Sequence, residues 1–204
     1  LHPLYTSFGE KVDKTVAREK LGIKKDEKII LFFGLIRKYK GLDILLEAMG
    51  DDRIKQAGIK LLIGGEFYDD RAYYDEIIQR NAIANNIILH GEVPQSKLAT
   101  TLQKSSALIL YSQYETFGCV VIEANAVGVP AILSDLEVFR EFCIENETCL
   151  FAPKNDAIEL ARVISNFIKG DNNFDKTKIA ERTQKLFSFD VIGKEFGSVY
   201  DSVL

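Results

Sequence analysis

From about residue 28 the chain alternates between short runs of Ile, Leu, Val and Phe and longer stretches with apolar residues every three or four positions. The short runs fall at 28–33, 59–63, 86–90, 107–111, 130–133 and 149–152. Each is nearly continuous rather than alternating, the pattern of strands covered on both faces. Between them, Leu42, Leu45, Leu46 and Met49 repeat at helical spacing, as do Tyr73, Ile77 and Ile78. Leu98 with Leu102, then Val120, Val121, Ala124 and Val127, continue the series, and Leu160, Val163, Ile164 and Phe167 form a last amphipathic face. Strand–helix repetition of this kind predicts right-handed crossovers and an α/β fold: a doubly wound, mostly parallel sheet of about six strands flanked by helices. Such sheets bind ligands at the carboxyl ends of their strands, so function is sought in the loops that leave them.

The flanks break the pattern. Residues 1–27 are mixed in charge, with only 15–21 helical in character, and read as a linker segment. Residues 28–172 form the binding domain, and 173–204 read as one or two helices closing over it. The 204 residues, 47% hydrophobic and 27% charged, are ordinary for one globular domain. Apolar stretches such as 29–33 and 107–111 fall far short of the ~18 residues of a membrane span. With 26 cationic and 30 acidic side chains the net charge is −4 and the pI about 5.4, which argues against a nucleic-acid or anionic-membrane binder. Cys119, Cys143 and Cys149 are odd in number and lack C-x-x-C spacing, so a reducing, cytoplasmic setting is expected rather than a disulfide framework or zinc cluster. No signal peptide is visible, and a start at Leu1 suggests a piece of a longer protein.

Four loops carry candidate chemistry. The first, Gly34 to Gly41, holds Arg37, Lys38 and Lys40 between glycines and leads into a helix whose positive end faces it, an anion site most simply for phosphate. It is neither a Walker A loop nor G-x-G-x-x-G, so nucleotide hydrolysis and a standard dinucleotide fold lose support. The second, Gly64-Gly65-Glu66, allows a sharp turn beside a flat ligand. The third, His90-Gly91-Glu92-Val93-Pro94, offers backbone to a base edge; with His2 the only other histidine, histidine catalysis has little basis. The fourth runs from Tyr111 and Ser112 through Glu115 to a helix starting near Phe117–Gly118, with Glu123 about two turns inside it. Two carboxylates on one side of a helix tip suit vicinal hydroxyls, and the N–H groups of Phe117, Gly118 and Cys119 between them suit a diphosphate.

The run Glu115–Glu123 resembles the E-x7-E motif of retaining glycosyltransferases with the GT-B fold, the group 1 family, also called glycosyltransferase family 4. "ETFGCVVIEANAVGVPAILSD" is similar to the family's "E-P-F-G-x-x-x-x-E-A-x-A-x-G-x-P-V-x-x-x-D". Lys40-Gly41 with the leucine-rich stretch after it, "LLIGGEF" and "ILHGEVP" resemble the family's remaining motifs in order, over about residues 28–170. The resemblance implies the carboxyl-terminal, donor-binding half of a hexosyltransferase. Lys40 would neutralise the diphosphate, Glu123 would hold the ribose and Glu115 the transferred sugar. Phe117 and Gly118 would give backbone N–H groups to the leaving phosphate, and Val93 its main chain to the base. Gly34, Gly65, Ser112 and Cys119 complete the implied contacts. Leu35 stands where the family usually has arginine, and Arg37 is the implied substitute. Glu137 and Val138 stand where Gly-Gly is frequent, and Thr116 replaces a common proline. No Asp-x-Asp is present, so the donor, a UDP-, GDP- or ADP-sugar, is expected to react without metal or cofactor. The acceptor, a glycan or lipid-linked saccharide, would bind a missing amino-terminal half, with peripheral membrane association of the whole protein in polysaccharide biosynthesis. A GT-B-like nucleotide-sugar epimerase and a non-catalytic anion-binding α/β module are the alternative readings.

Overall fold

The computed structural model describes residues 3–4, 14–19, 27–93, 97–170 and 172–201. Six strands form one sheet: β1 (Ile29–Phe33), β2 (Lys60–Gly64), β3 (Ile87–Gly91), β4 (Ala107–Leu110), β5 (Ala131–Ser134) and β6 (Cys149–Ala152). Their order is β3-β2-β1-β4-β5-β6, and every neighbouring pair is parallel. The chain winds outward from β1 to β3, then crosses back to β4 and winds the other way. The order therefore reverses between β1 and β4, and the loops leaving those two strands flank the crevice where doubly wound sheets take ligands.

Alternate residues of each inner strand feed opposite cores. Ile30 and Phe32 pack under α2 (Leu42–Met49) and α8 (Ala157–Lys169), whereas Ile29 and Leu31 join α5 (Leu98–Lys104) and α6 (Cys119–Ala126). This two-sided burial is what continuous apolar runs require. The edge strand β3 departs from it: Leu89 is 43% exposed and no residue of the strand is fully buried. The opposite edge strand, β6, is buried at three of its four residues, so position at the edge does not by itself expose β3, and the run at 86–90 overstated its burial.

The helices follow the expected periodicities with two corrections. In α4 (Arg71–Arg80) the core residues are Tyr74 and Ile77, while Tyr73 is exposed. Helix α6 begins at Cys119 rather than at Phe117–Gly118, which puts Glu123 one turn inside it and not two. Two short helices escaped the sequence reading, α3 (Asp52–Gln56) and α7 (Glu137–Arg140). The tail forms α9 (Lys176–Phe187), packed on α6, and α10 (Phe189–Asp201). Within the segment before residue 28, α1 (Lys14–Glu19) packs on α5, and the Leu4 amide donates to the Phe187 carbonyl at 2.8 Å. Residues 20 and 21 of the expected 15–21 helix, and Pro94 of the third loop, lie outside the described residues.

Candidate functional site

The β1–α2 loop and the β4–α6 loop meet at the reversal of strand order. Gly41 fixes their approach. It caps α2 in the left-handed region at φ 73°, and a Cβ there would stand 2.1 Å from the Tyr111 carbonyl oxygen. The Gln113 amide donates to the Tyr39 carbonyl at 2.7 Å, and the rings of Tyr39 and Tyr114 stack with centroids 4.5 Å apart and 15° between planes. Lys40, on the short 3-10 turn Lys38–Lys40, is thereby held over the β4–α6 loop. Its ammonium meets Glu115 Oε1 at 2.5 Å, with the side chains 19% and 7% exposed. The Ser112 hydroxyl donates to the same oxygen at 2.9 Å, and the Ser134 hydroxyl fixes that loop through the Ser112 carbonyl at 2.6 Å. Both partners of Glu115 lie on Oε1, and Glu115 also lines a neighbouring cleft.

Gly118 precedes α6 at φ 84°, and a Cβ there would sit 2.7 Å from the buried Phe139 ring. The turn that opens α6 therefore tolerates only glycine, and the Gly118 carbonyl accepts from the first-turn Val121 amide at 2.9 Å. Phe117 turns inward against Phe142 and Phe187, with centroids 5.1 and 6.1 Å away, and so anchors the loop from beneath. The Cys119 thiol is pushed up from its ordinary value, first by burial and then by the charge of Glu123, with Glu115 adding and Lys40 opposing. It stays protonated at neutral pH and adds no negative charge beside a helix start suited to anions.

On the other side of β1 the strand ends are linked through their glycines, with the β2–β3 register shifting between Ile63 and Gly64. The Gly34 amide donates to Gly64 at 3.1 Å and the Gly65 amide to Gly91 at 2.8 Å, and Val93 lies against Gly64. The cations of the first loop divide. Lys40 turns to Glu115, whereas Arg37 lies over the Tyr68 ring at 4.8 Å and Lys38 over Tyr73 at 5.3 Å. The structure brings Lys40, Ser112 and Glu115 into contact and sets Glu123, Gly118 and Cys119 beside them, but does not bring Arg37 to them.

Sequence reasoning missed a cleft of about 420 Å³ at the carboxyl ends of β4, β5 and β6, lined by Tyr114, Glu115, Asp135, Glu137 and Lys154 among others. Its residues come from three separate loops; Glu115 was already a candidate, and Glu137 and Val138 carried a signal as side chains where glycine was expected, but nothing marked Tyr114 or Lys154. Arg140 pairs with Asp135 at 2.6 Å and holds its carboxyl below the usual carboxylate range. Cavities of about 380 and 290 Å³ lie at the opposite end, beside Thr148 and Pro130 just before β6 and β5, away from these loops. Among the described residues, no group of three or more His, Cys, Asp or Glu is placed to hold a metal ion, and no helix is long and apolar enough to cross a membrane.

The fold and the placement of these side chains define an α/β domain whose candidate ligand crevice lies at the reversal of its strand order. The model of the glycosyl transferases group 1 family matches residues 13–185, and the chain belongs to that family. An uncharacterized glycosyltransferase of Methanocaldococcus jannaschii is 28% identical over 198 residues, 95% of this chain and 49% of that protein. A D-inositol 3-phosphate glycosyltransferase of Segniliparus rotundus is 33% identical over 123 residues, 59% of this chain and 27% of that protein. Among solved structures, sucrose-phosphate synthase from Thermosynechococcus elongatus superposes with a TM-score of 0.83 at 26% identity, over 99% of this chain and 51% of that one. Anabaena HepE, solved with UDP-glucose, has the same fold, with a TM-score of 0.80 at 18% identity over 98% and 57% of the two chains. The chain thus spans about half the length of relatives that it matches nearly end to end.

Proposed function

We propose that this chain is the donor-binding half of a retaining glycosyltransferase that moves a hexosyl group from a nucleoside diphosphate sugar to a glycan or lipid-linked acceptor. The observation that carries the reading is the convergence of Lys40 on Glu115 beside the glycine-capped start of α6. A lysine ammonium has three donors, so Lys40 can keep Glu115 and still contact a diphosphate. As the bond between sugar and phosphate breaks, charge grows on the leaving diphosphate. Lys40 and the N–H groups opening α6 stabilise that charge where it develops. Glu123 accepts from the ribose hydroxyls, Glu115 Oε2 from the sugar, and Val93 presents backbone to the base. The reaction runs without a metal or cofactor in this reading. Family membership supports it, as does the UDP-glucose held by Anabaena HepE. The acceptor belongs to the other half of a longer protein, acting in the cytoplasm or at the membrane's inner face in polysaccharide assembly.

Calorimetric titration of the chain with UDP-, GDP- and ADP-sugars tests the donor site. One nucleotide class should bind more tightly than free phosphate, and Glu123→Ala should weaken it by about 1–3 kcal/mol as buried hydrogen bonds are lost. Equal affinity for free phosphate and indifference to Glu123→Ala would instead indicate a general anion-binding module. With the whole protein and labelled donor, a new glycosidic product separates transfer from epimerisation.

A further inference from the structure

The cleft beyond Glu115 has a composition that the donor reading alone does not require. Tyr114 is 61% exposed, yet one face of its ring is backed by Tyr39, so the ring is fixed in orientation while its other side borders the cleft. A flat, rigid aromatic surface beside polar groups suits a ligand with one apolar face and hydroxyls at its edge. The charges narrow the choice. Glu115 is neutralised by Lys40 and Asp135 by Arg140. That leaves Glu137 and Lys154, which make no ion pair among the described residues. One acceptor and one donor of opposite sign leave the cleft without excess charge, which disfavours a phosphate or a uronic acid and favours a neutral polyol.

We infer that Tyr114 and Glu137 form a subsite for a neutral hexopyranose, the C–H face of the sugar lying on the Tyr114 ring and its hydroxyls donating to Glu137. Lys154 donates to a ring or hydroxyl oxygen. The inference rests on the donor reading for its place in the reaction, because Glu115 lines the same cleft. It goes further in assigning sugar selection to side chains at positions 114 and 137. The pyranose is either the donor's own sugar or a separate saccharide, and its chemistry is the same in both cases.

Titration of the chain and of Tyr114→Ala, Tyr114→Phe and Glu137→Ala separates these sources. The probes are uridine, guanosine and adenosine diphosphates, their glucose, galactose and mannose conjugates, and the corresponding methyl hexosides. The bare diphosphate should bind all variants within about twofold. The tighter binding of its hexose conjugate should fall by about three- to tenfold in Tyr114→Ala and Glu137→Ala and survive in Tyr114→Phe. If the conjugate is unaffected but a methyl hexoside shifts the Tyr114 ring resonances, and both alanine variants abolish that shift, the subsite stands and its occupant is a separate saccharide. Alanine variants that bind every conjugate and hexoside as the parent does overturn the subsite and leave the donor site intact. A parent chain that binds no diphosphate but whose Tyr114 and Glu137 variants lose a hexoside sinks the donor reading and keeps the subsite. Thermal melts matching the parent show that the variants are folded.

Discussion

Gly41 joins three demands at one position: it ends the turn that presents Lys40, starts α2 and lets the Tyr111 carbonyl come close. Gly41→Ala adds a left-handed penalty of about 1–2 kcal/mol and a clash with backbone that cannot move aside. Its melting temperature should fall by at least roughly 4 °C in a calorimetric scan, and donor affinity should fall with it because Lys40 loses its register. Lys40, Glu115, Gly118 and Glu123 were legible as candidates, because each stands in or just after a loop at a strand end and carries chemistry suited to anions or hydroxyls. Arg37 was legible only as a charge. Its stacking on Tyr68 depends on a loop some thirty residues away, which no local pattern reports. The Tyr39–Tyr114 stack was hidden for the same reason, since tyrosines in two polar loops carry no mark of their contact.

Among the elements, α9 shows how a surface helix can govern a buried one. Asp175 caps it, accepting from the amides of Thr177 and Lys178 at 3.1 Å, and the helix lies on α6, which carries Glu123. Asp175→Ala should cost about 1 kcal/mol in denaturant unfolding with an unchanged slope, and Asp175→Ser should recover most of it. The strands were legible to within a residue or so because fully buried parallel strands need uninterrupted apolar runs. The face of α4 was not: Tyr73 and Tyr74 are neighbours of one residue type. Only packing decides that Tyr74 enters the core, where burial raises its hydroxyl pKa to about 12, while Tyr73 bonds to Asp43 at 3.1 Å. The start of α6 was misjudged by a residue or two because Gly118, left-handed, stands outside the helix that it caps.

Across the whole molecule the sheet sets a gradient of stability. The strands β1 and β4, paired on both sides and sealed by two cores, should exchange their amide hydrogens most slowly, near the global unfolding limit. The edge strand β3 should exchange fastest of the six, and equal protection in β3 and β1 would contradict the layered account. Sequence by itself determined the class of fold, the approximate strand runs and the four loops that could hold chemistry, because burial periodicity and turn residues are local properties of the chain. Tertiary structure alone decided the order β3-β2-β1-β4-β5-β6, and with it which loops share the crevice. Lys40 and Glu115 stand 75 residues apart and meet because the winding reverses between β1 and β4. The cleft of Tyr114, Glu137 and Lys154 likewise exists only where three strand ends align, since contact between distant loops is a property of the packed sheet and not of any stretch of sequence.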